Sequence, residues 1–176
     1  MPWDHSGTAP GILGLAVAVA LAERLEAAGV GVAIKWPNDL LVDGRKLAGI
    51  LPRMVYRGGR VRLARVGVGL NVWNGVPKGA IALRECPMTS LQAPPRLLHW
   101  TGELLMALDH ALLMAAQPLE VCALTESRLW SRQVQDPATG EVWQLQGLRE
   151  DGALLLRQGL RTTSWIRWAD ASIVGL

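Results

Sequence analysis

Residues 35–51, KWPNDLLVDGRKLAGIL, constrain the fold of this chain more than any other stretch. A short apolar strand over 30–36 is stopped by Pro37, which has no N–H to give to a sheet ladder. Asn38 and Asp39 follow, with short polar side chains that fold back on the backbone or point at a ligand. Residues 40–42 resume an extended run, Asp43-Gly44 is a strong hairpin signal, and 46–51 read as a buried return strand. Such turns also make plain scaffold. The charges at the strand ends, Lys35, Asp39, Arg45 and Lys46, favour more, because the hairpin can bring Asp39 and Lys46 toward one cleft. A cation beside a carboxylate suits a site that handles phosphate or an activated carboxyl group.

Before this stretch, an Ala/Leu/Val-rich run over 11–28 predicts a helix. Pro10 suits its first turn, Ser6 or Thr8 its N-cap, and Gly29 its C-cap. Its first half is apolar nearly all round, so it must be buried, as if laid across a sheet. After the stretch, the return strand continues toward Tyr56 and Arg57-Gly58-Gly59-Arg60 reads as a second turn. Residues 61–72 pair back, and their broken alternation places a bulge between Leu63 and Val66. Gly67-Val68-Gly69-Leu70-Asn71 lacks the third glycine and following helix of a dinucleotide fingerprint. Its glycines instead allow close approach to the backbone, and Asn71 is either a turn residue or a reader of a base edge.

Residues 74–94 form a long Gly/Pro-rich connection. A helix is expected over 95–116 with Leu97, Leu98, Leu104, Leu105, Leu108, Leu112 and Leu113 as its apolar face, and a shorter one over 119–130. His99 and His110 lack the spacing of a metal pair. From Val134 short strands at 134–135, 141–148, 153–158 and 162–168 alternate with turns, the pattern of a small β-barrel. Arg161, Trp165, Arg167 and Trp168 give only a faint nucleic-acid signal on it.

Composition excludes several classes. Half of the residues are hydrophobic and 19% charged, which is globular. A net charge of +3 comes without a long basic run. Cys86 and Cys122 have no CxxC or His partner spacing, so two reduced thiols and a cytoplasmic protein are expected. The apolar run 12–22 ends at Glu23-Arg24, short of the ~20 residues a membrane span needs.

Lys35-Trp36-Pro37-Asn38-Asp39, followed by Gly44-Arg45-Lys46-Leu47-Ala48-Gly49-Ile50-Leu51, resembles the central motif of the biotin–protein ligases. These enzymes attach biotin to a lysine of the carrier protein of acetyl-CoA carboxylase. The strand ending in Asn71 is similar to their glycine-rich strand, and Glu150-Asp151-Gly152-Ala153-Leu154-Leu155-Leu156 to the central hairpin of their terminal SH3-like barrel. The resemblance implies an α+β fold. A class-II-synthetase-like catalytic domain, a mixed sheet with packed helices, would occupy 1–131 and a small SH3-like barrel 132–176.

It further implies ATP-dependent transfer of biotin through biotinyl-adenylate, with Mg²⁺ accompanying ATP and a biotin carboxyl carrier protein as the protein substrate. No DNA or membrane partner is implied, and a homodimer is left open. Lys46 and Asp39 would be catalytic, Lys46, Gly49 and Trp36 would bind biotin, and Asn71 and Asn38 the nucleotide, with no metal-ligand set assigned. Two departures stand out. Nothing matches the family's glycine/arginine-rich loop, so Met1 is expected to fall after it and the chain to be amino-terminally truncated. Pro52-Arg53 replace the usual small or β-branched residue and frequent acid. A catalytically impaired remnant that serves as a binding module is the alternative.

Overall fold

In the computed structural model, residues 10–57, 60–86, 96–136, 138–165 and 172–173 are described. The capping positions Ser6 and Thr8, the Gly58-Gly59 turn, Arg167 and Trp168 lie outside them. Helix α1 (Pro10–Ala27) begins at the proline and ends where Gly29 takes a left-handed φ of 82°. There Gly29 N donates to Glu26 O and Val30 N to Leu25 O, closing the last turn. Residues 15–22 are all buried, so α1 is a core helix, as its all-round apolar pattern requires.

The first sheet is β1 (Ala33–Lys35), β2 (Asp39–Val42), β3 (Arg45–Arg57) and β4 (Arg60–Leu70), in that spatial order. Every pair is antiparallel, which corrects the expected mixed sheet. The described connections, at 36–38 and 43–44, are tight turns, and a parallel neighbour would need a crossover of a dozen residues or more. Among the described residues, parallel contact is confined to the isolated bridges Ile34–Leu129 and Lys46–Ala80. Asp43 and Gly44 both adopt positive φ, 48° and 73°, as the two-residue Asp-Gly hairpin demands. The second hairpin's bulge sits at Arg62, between the pairs Val55–Leu63 and Tyr56–Val61, and not between Leu63 and Val66.

On β3 and β4, Met54, Ala64, Val66 and Val68 pack against the core. Pro52 points the same way. A Cβ on Gly14 of α1 would lie 3.0 Å from Pro52 Cγ, so the bare glycine makes room for the proline ring.

Helix α2 (Leu97–Met114) lies against α1, and α3 (Pro118–Glu126) follows it. The buried stripe of α2 is Trp100, Ala107, Ala111 and Met114, not the leucines. Small alanines let two helices approach closely. Leu97, Leu98, Leu105, Leu112 and Leu113 stay exposed, while Leu104 and Leu108 pack at the margin. Arg128, just beyond α3, forms a two-point ion pair with Glu26 of α1, both N···O distances 2.9 Å. That hydrogen bonding outweighs burial and raises the guanidinium pKa further.

The carboxy-terminal strands are β5 (Gln133–Gln135), β6 (Val142–Leu148), β7 (Leu154–Gln158), β8 (Arg161–Trp165) and β9 (Ser172–Ile173). They make one antiparallel sheet ordered β8-β7-β6-β5-β9, open among the described residues where a closed barrel was expected. Its inner residues Val134, Trp143, Leu154, Leu156 and Trp165 belong to the same hydrophobic cluster as α1 and the first sheet. Among the described residues no helix is long and apolar enough to cross a membrane.

Cys122 on α3 is buried and its thiol donates to Arg149 O at 3.2 Å. Burial first, then the carboxylates of Glu126, Asp151 and Glu150, push its pKa up to about 11 from 9.0. Between those values the unfolded chain has released the proton and the folded chain holds it, so stability falls as pH rises. The thiol's contribution is complete below pH 9 and is lost toward 11, a decline of about 2–3 kcal/mol. Urea unfolding from pH 8 to 11 should show a shallower decline in Cys122→Ala than in the wild type. Identical slopes would mean that the thiol is not held protonated.

Candidate functional site around Lys46 and Asp39

Asp39 opens β2 opposite Gly49 of β3, and Lys46 lies three residues before Gly49. In a regular strand, positions separated by an odd number face opposite sides. A bulge overturns that here. The register runs Leu40–Ala48 and then Leu41–Lys46, which leaves Leu47 as the extra residue. Lys46 is thereby re-aimed to the face of Gly49 and Asp39. Lys46 Nζ lies 2.7 Å from Asp39 Oδ1.

The absent side chain at Gly49 shapes this pair. A Cβ there would meet Lys46 Nζ at 3.1 Å, Lys46 Cε at 3.2 Å and Asp39 Oδ1 at 3.3 Å. The contact is an ion pair, not a directed hydrogen bond, because buried Oδ1 has no hydrogen-bond partner among the described residues. Asp39 is mostly enclosed and Lys46 half exposed, 16% and 49% by side chain. Such a pair contributes only about 0–1 kcal/mol to stability, so the bulge and the glycine are better explained by chemistry at the ammonium. Directly opposite Gly49 is Gly69 of β4, which has open space above it. The two glycines make a bare backbone surface beside a fixed cation, suited to a flat ligand with an anionic end.

The other expected site residues are placed around this pair, not in it. Asn71 turns its amide to the backbone, with Nδ2 3.4 Å from Lys46 O and 3.3 Å from Ile81 O, while Asn74 Nδ2 donates to its Oδ1 at 3.0 Å. It braces the main chain of Lys46, which Gly79 O and Ile81 N also hold. Asn38 clamps β3 at two points: Nδ2 donates to Ile50 O at 2.9 Å, and Ile50 N donates to Asn38 O at 2.8 Å. Trp36 is buried, and its indole N–H donates to Gly152 O at 2.9 Å, joining the first sheet to the second. Sequence reasoning missed Asn74 and the 79–81 loop as supports of the site. Only the recurrence of Asn at 71 and 74 hinted at them.

A sheet carrying this lysine–carboxylate pair, backed by helices, places the protein in the α+β class. Residues 6–71 match the biotin/lipoate A/B protein ligase family. The chain is 48% identical over 61 residues to the bifunctional ligase/repressor BirA of Bacillus spizizenii, 34% of this chain and 19% of that protein. It is 41% identical over 61 residues to biotin--[acetyl-CoA-carboxylase] ligase of Paracoccus denitrificans, 35% of this chain and 25% of that protein. The matched stretch thus spans about a fifth to a quarter of these curated relatives. The fold is that of the biotin protein ligase of Aquifex aeolicus, with a TM-score of 0.76 at 19% identity over 96% of this chain and 78% of the other. The same enzyme in complex with biotin and ATP gives a TM-score of 0.72 at 20% identity, over 95% and 72%. Over about a third of its length this chain is thus similar in sequence to biotin–protein ligases, and its fold is similar to one of them.

Proposed function

We propose that this chain carries the lysine-centred part of a biotin–protein ligase site and takes part in ATP-dependent attachment of biotin to a lysine of a biotin carboxyl carrier protein. The observation that carries this reading is the convergence of Lys46, Asp39 and the Gly49–Gly69 surface within the family-matched segment. In the first step a carboxylate oxygen of biotin attacks the α-phosphorus of ATP and pyrophosphate leaves. In the second the carrier's lysine amine attacks the acyl carbon of biotinyl-adenylate, AMP leaves, and the amine gives up a proton. Both steps build negative charge on phosphate and carboxyl oxygens, which a preorganised cation stabilises.

Lys46 supplies that cation and Asp39 holds it in place. Gly49 and Gly69 offer backbone to biotin, while Asn71 and Asn38 support the nucleotide side by fixing the strands that face it. Among the described residues no group of three His, Cys, Asp or Glu side chains could hold a metal ion. A Mg²⁺ ion would enter as a companion of the ATP phosphates, where Asp39 could help hold it and the ion would neutralise phosphate charge. Residues 132–176 are read as a small SH3-like barrel appended to a catalytic domain over 1–131. The repressor activity in some relatives' names is not carried over, because the sequence match to such a relative covers only 61 residues, 19% of that protein.

The test is biotin-dependent exchange of pyrophosphate into ATP, with mass spectrometry of a carrier domain for the added biotinyl group and lipoate as the control acid. Exchange with biotin and not with lipoate is expected. Binding of biotin and ATP without exchange would instead favour a binding module, and no binding of biotin would end the ligase reading.

A further inference from the structure

The face of β3 and β4 that carries Gly49 and Gly69 continues outward as the cross-strand pairs Leu51–Gly67, Arg53–Arg65 and Val55–Leu63, with Arg57 opposite Arg60 at the end. Arg53, Arg57, Arg62 and Arg65 are exposed. None of these four forms an ion pair with another described residue. Like charges directly opposite on neighbouring strands are destabilising, so the Arg53–Arg65 pair is a cost that the described fold does not offset. The imbalance extends along the sequence. Residues 45–84 hold nine of the chain's eighteen Lys and Arg and none of its fifteen Asp and Glu. Leu51, Val55 and Leu63 stand exposed between the arginines, at 65%, 48% and 44%. Arginines mixed with aliphatic side chains suit a protein interface, whereas a nucleic-acid track wants aromatic stacking platforms. From Gly49 to Arg53 the strand advances about 13 Å, so the patch borders the Lys46–Asp39 pair on one continuous face.

We propose that this arginine-paired hairpin face is the landing surface for an acidic face of the protein substrate, one that presents its acceptor lysine to the neighbouring site. This rests on the ligase reading above for the identity of the substrate, but not for the acidic character of the partner. Arg53 and Arg65 supply charge complementarity and speed encounter, and Leu51, Val55 and Leu63 supply the apolar contact.

The test measures binding of a biotin carboxyl carrier domain to the full chain and to Arg53→Gln/Arg65→Gln, at low and high salt. A carrier whose Asp and Glu around the acceptor lysine are changed to Asn and Gln completes a double-mutant cycle, and duplex DNA is the rival probe. Neutralising the arginines should weaken carrier binding about tenfold at low salt, with less loss at high salt. The carrier's own neutralisation should cause a similar loss, and the two should not add. The arginine variant should melt no lower than the wild type, because a like-charge pair is relieved, and should bind biotin unchanged. Unchanged carrier affinity, additive losses, no carrier binding by the wild type, or tighter and arginine-dependent binding of DNA would each overturn the proposal. Loss of biotin binding in all forms, with arginine-dependent carrier binding intact, would instead remove the ligase reading and leave this surface standing.

Discussion

Lys46→Ala is expected to lower biotinyl-adenylate formation by about 10²–10³-fold, a loss of about 3–4 kcal/mol of transition-state stabilisation. The ammonium lies beside a bare backbone surface and is held by Asp39 at 2.7 Å, so no other group in that pair can replace its charge. Stability should move by less than about 1 kcal/mol, because the ion pair is half exposed. That contrast separates a lost catalytic group from a damaged fold. Gly49→Ala makes the complementary perturbation. Its methyl would press on the flexible end of Lys46, which can swing away, so the fold should persist while the cation is displaced. A loss of about tenfold is expected there, between wild type and Lys46→Ala. Biotin-dependent pyrophosphate exchange, with urea unfolding of each variant, checks both. A near-normal rate in Lys46→Ala would remove this lysine from the site.

Much of this arrangement was legible in the residues, and what was hidden had physical causes. Pro10 and Gly29 bracket α1, and Asp43-Gly44 declares the hairpin that brings Asp39 and Lys46 together, because these residue types act locally on φ. The bulge at Leu47 left no trace, since its run of apolar residues is compatible with either register. Only the bulge turns Lys46 toward Gly49. The burial of α2 was misread for a different reason. Leucines dominate its sequence, but the neighbouring helix selects the stripe with Ala107 and Ala111. Asn71 reads in sequence as either a turn residue or a base reader, and its amide meets Lys46 O and Ile81 O, the second delivered only by the folded 79–81 loop. Trp36 was drawn toward the ligand by its place in the motif. Its indole instead reaches Gly152, 116 positions away, a contact that no local pattern can announce.

That distant contact marks the junction where the largest loss of stability is expected. A Cβ on Gly11 of α1 would lie 2.6 Å from Asp151 O, and one on Gly152 would lie 3.0 Å from Gly11 C. Both obstacles are backbone, so no side chain can rotate away. Gly152 also has φ of +83°, which a β-branched residue adopts only with strain. Gly152→Val should therefore cost about 3–4 kcal/mol, from overpacking and from the left-handed backbone together. Gly11→Val should cost about 2–3 kcal/mol, from overpacking alone. Trp36→Phe removes the indole donor to Gly152 O and should cost about 1 kcal/mol more than the change in packing. Because the three residues share one contact, Gly152→Val and Trp36→Phe should not add: once the turn is displaced, the indole has already lost its acceptor. Urea unfolding of the single and double variants gives the coupling. Additive losses would place Trp36 and the Asp151-Gly152 turn in separate contacts, and a Gly152→Val variant as stable as wild type would show that the turn yields freely.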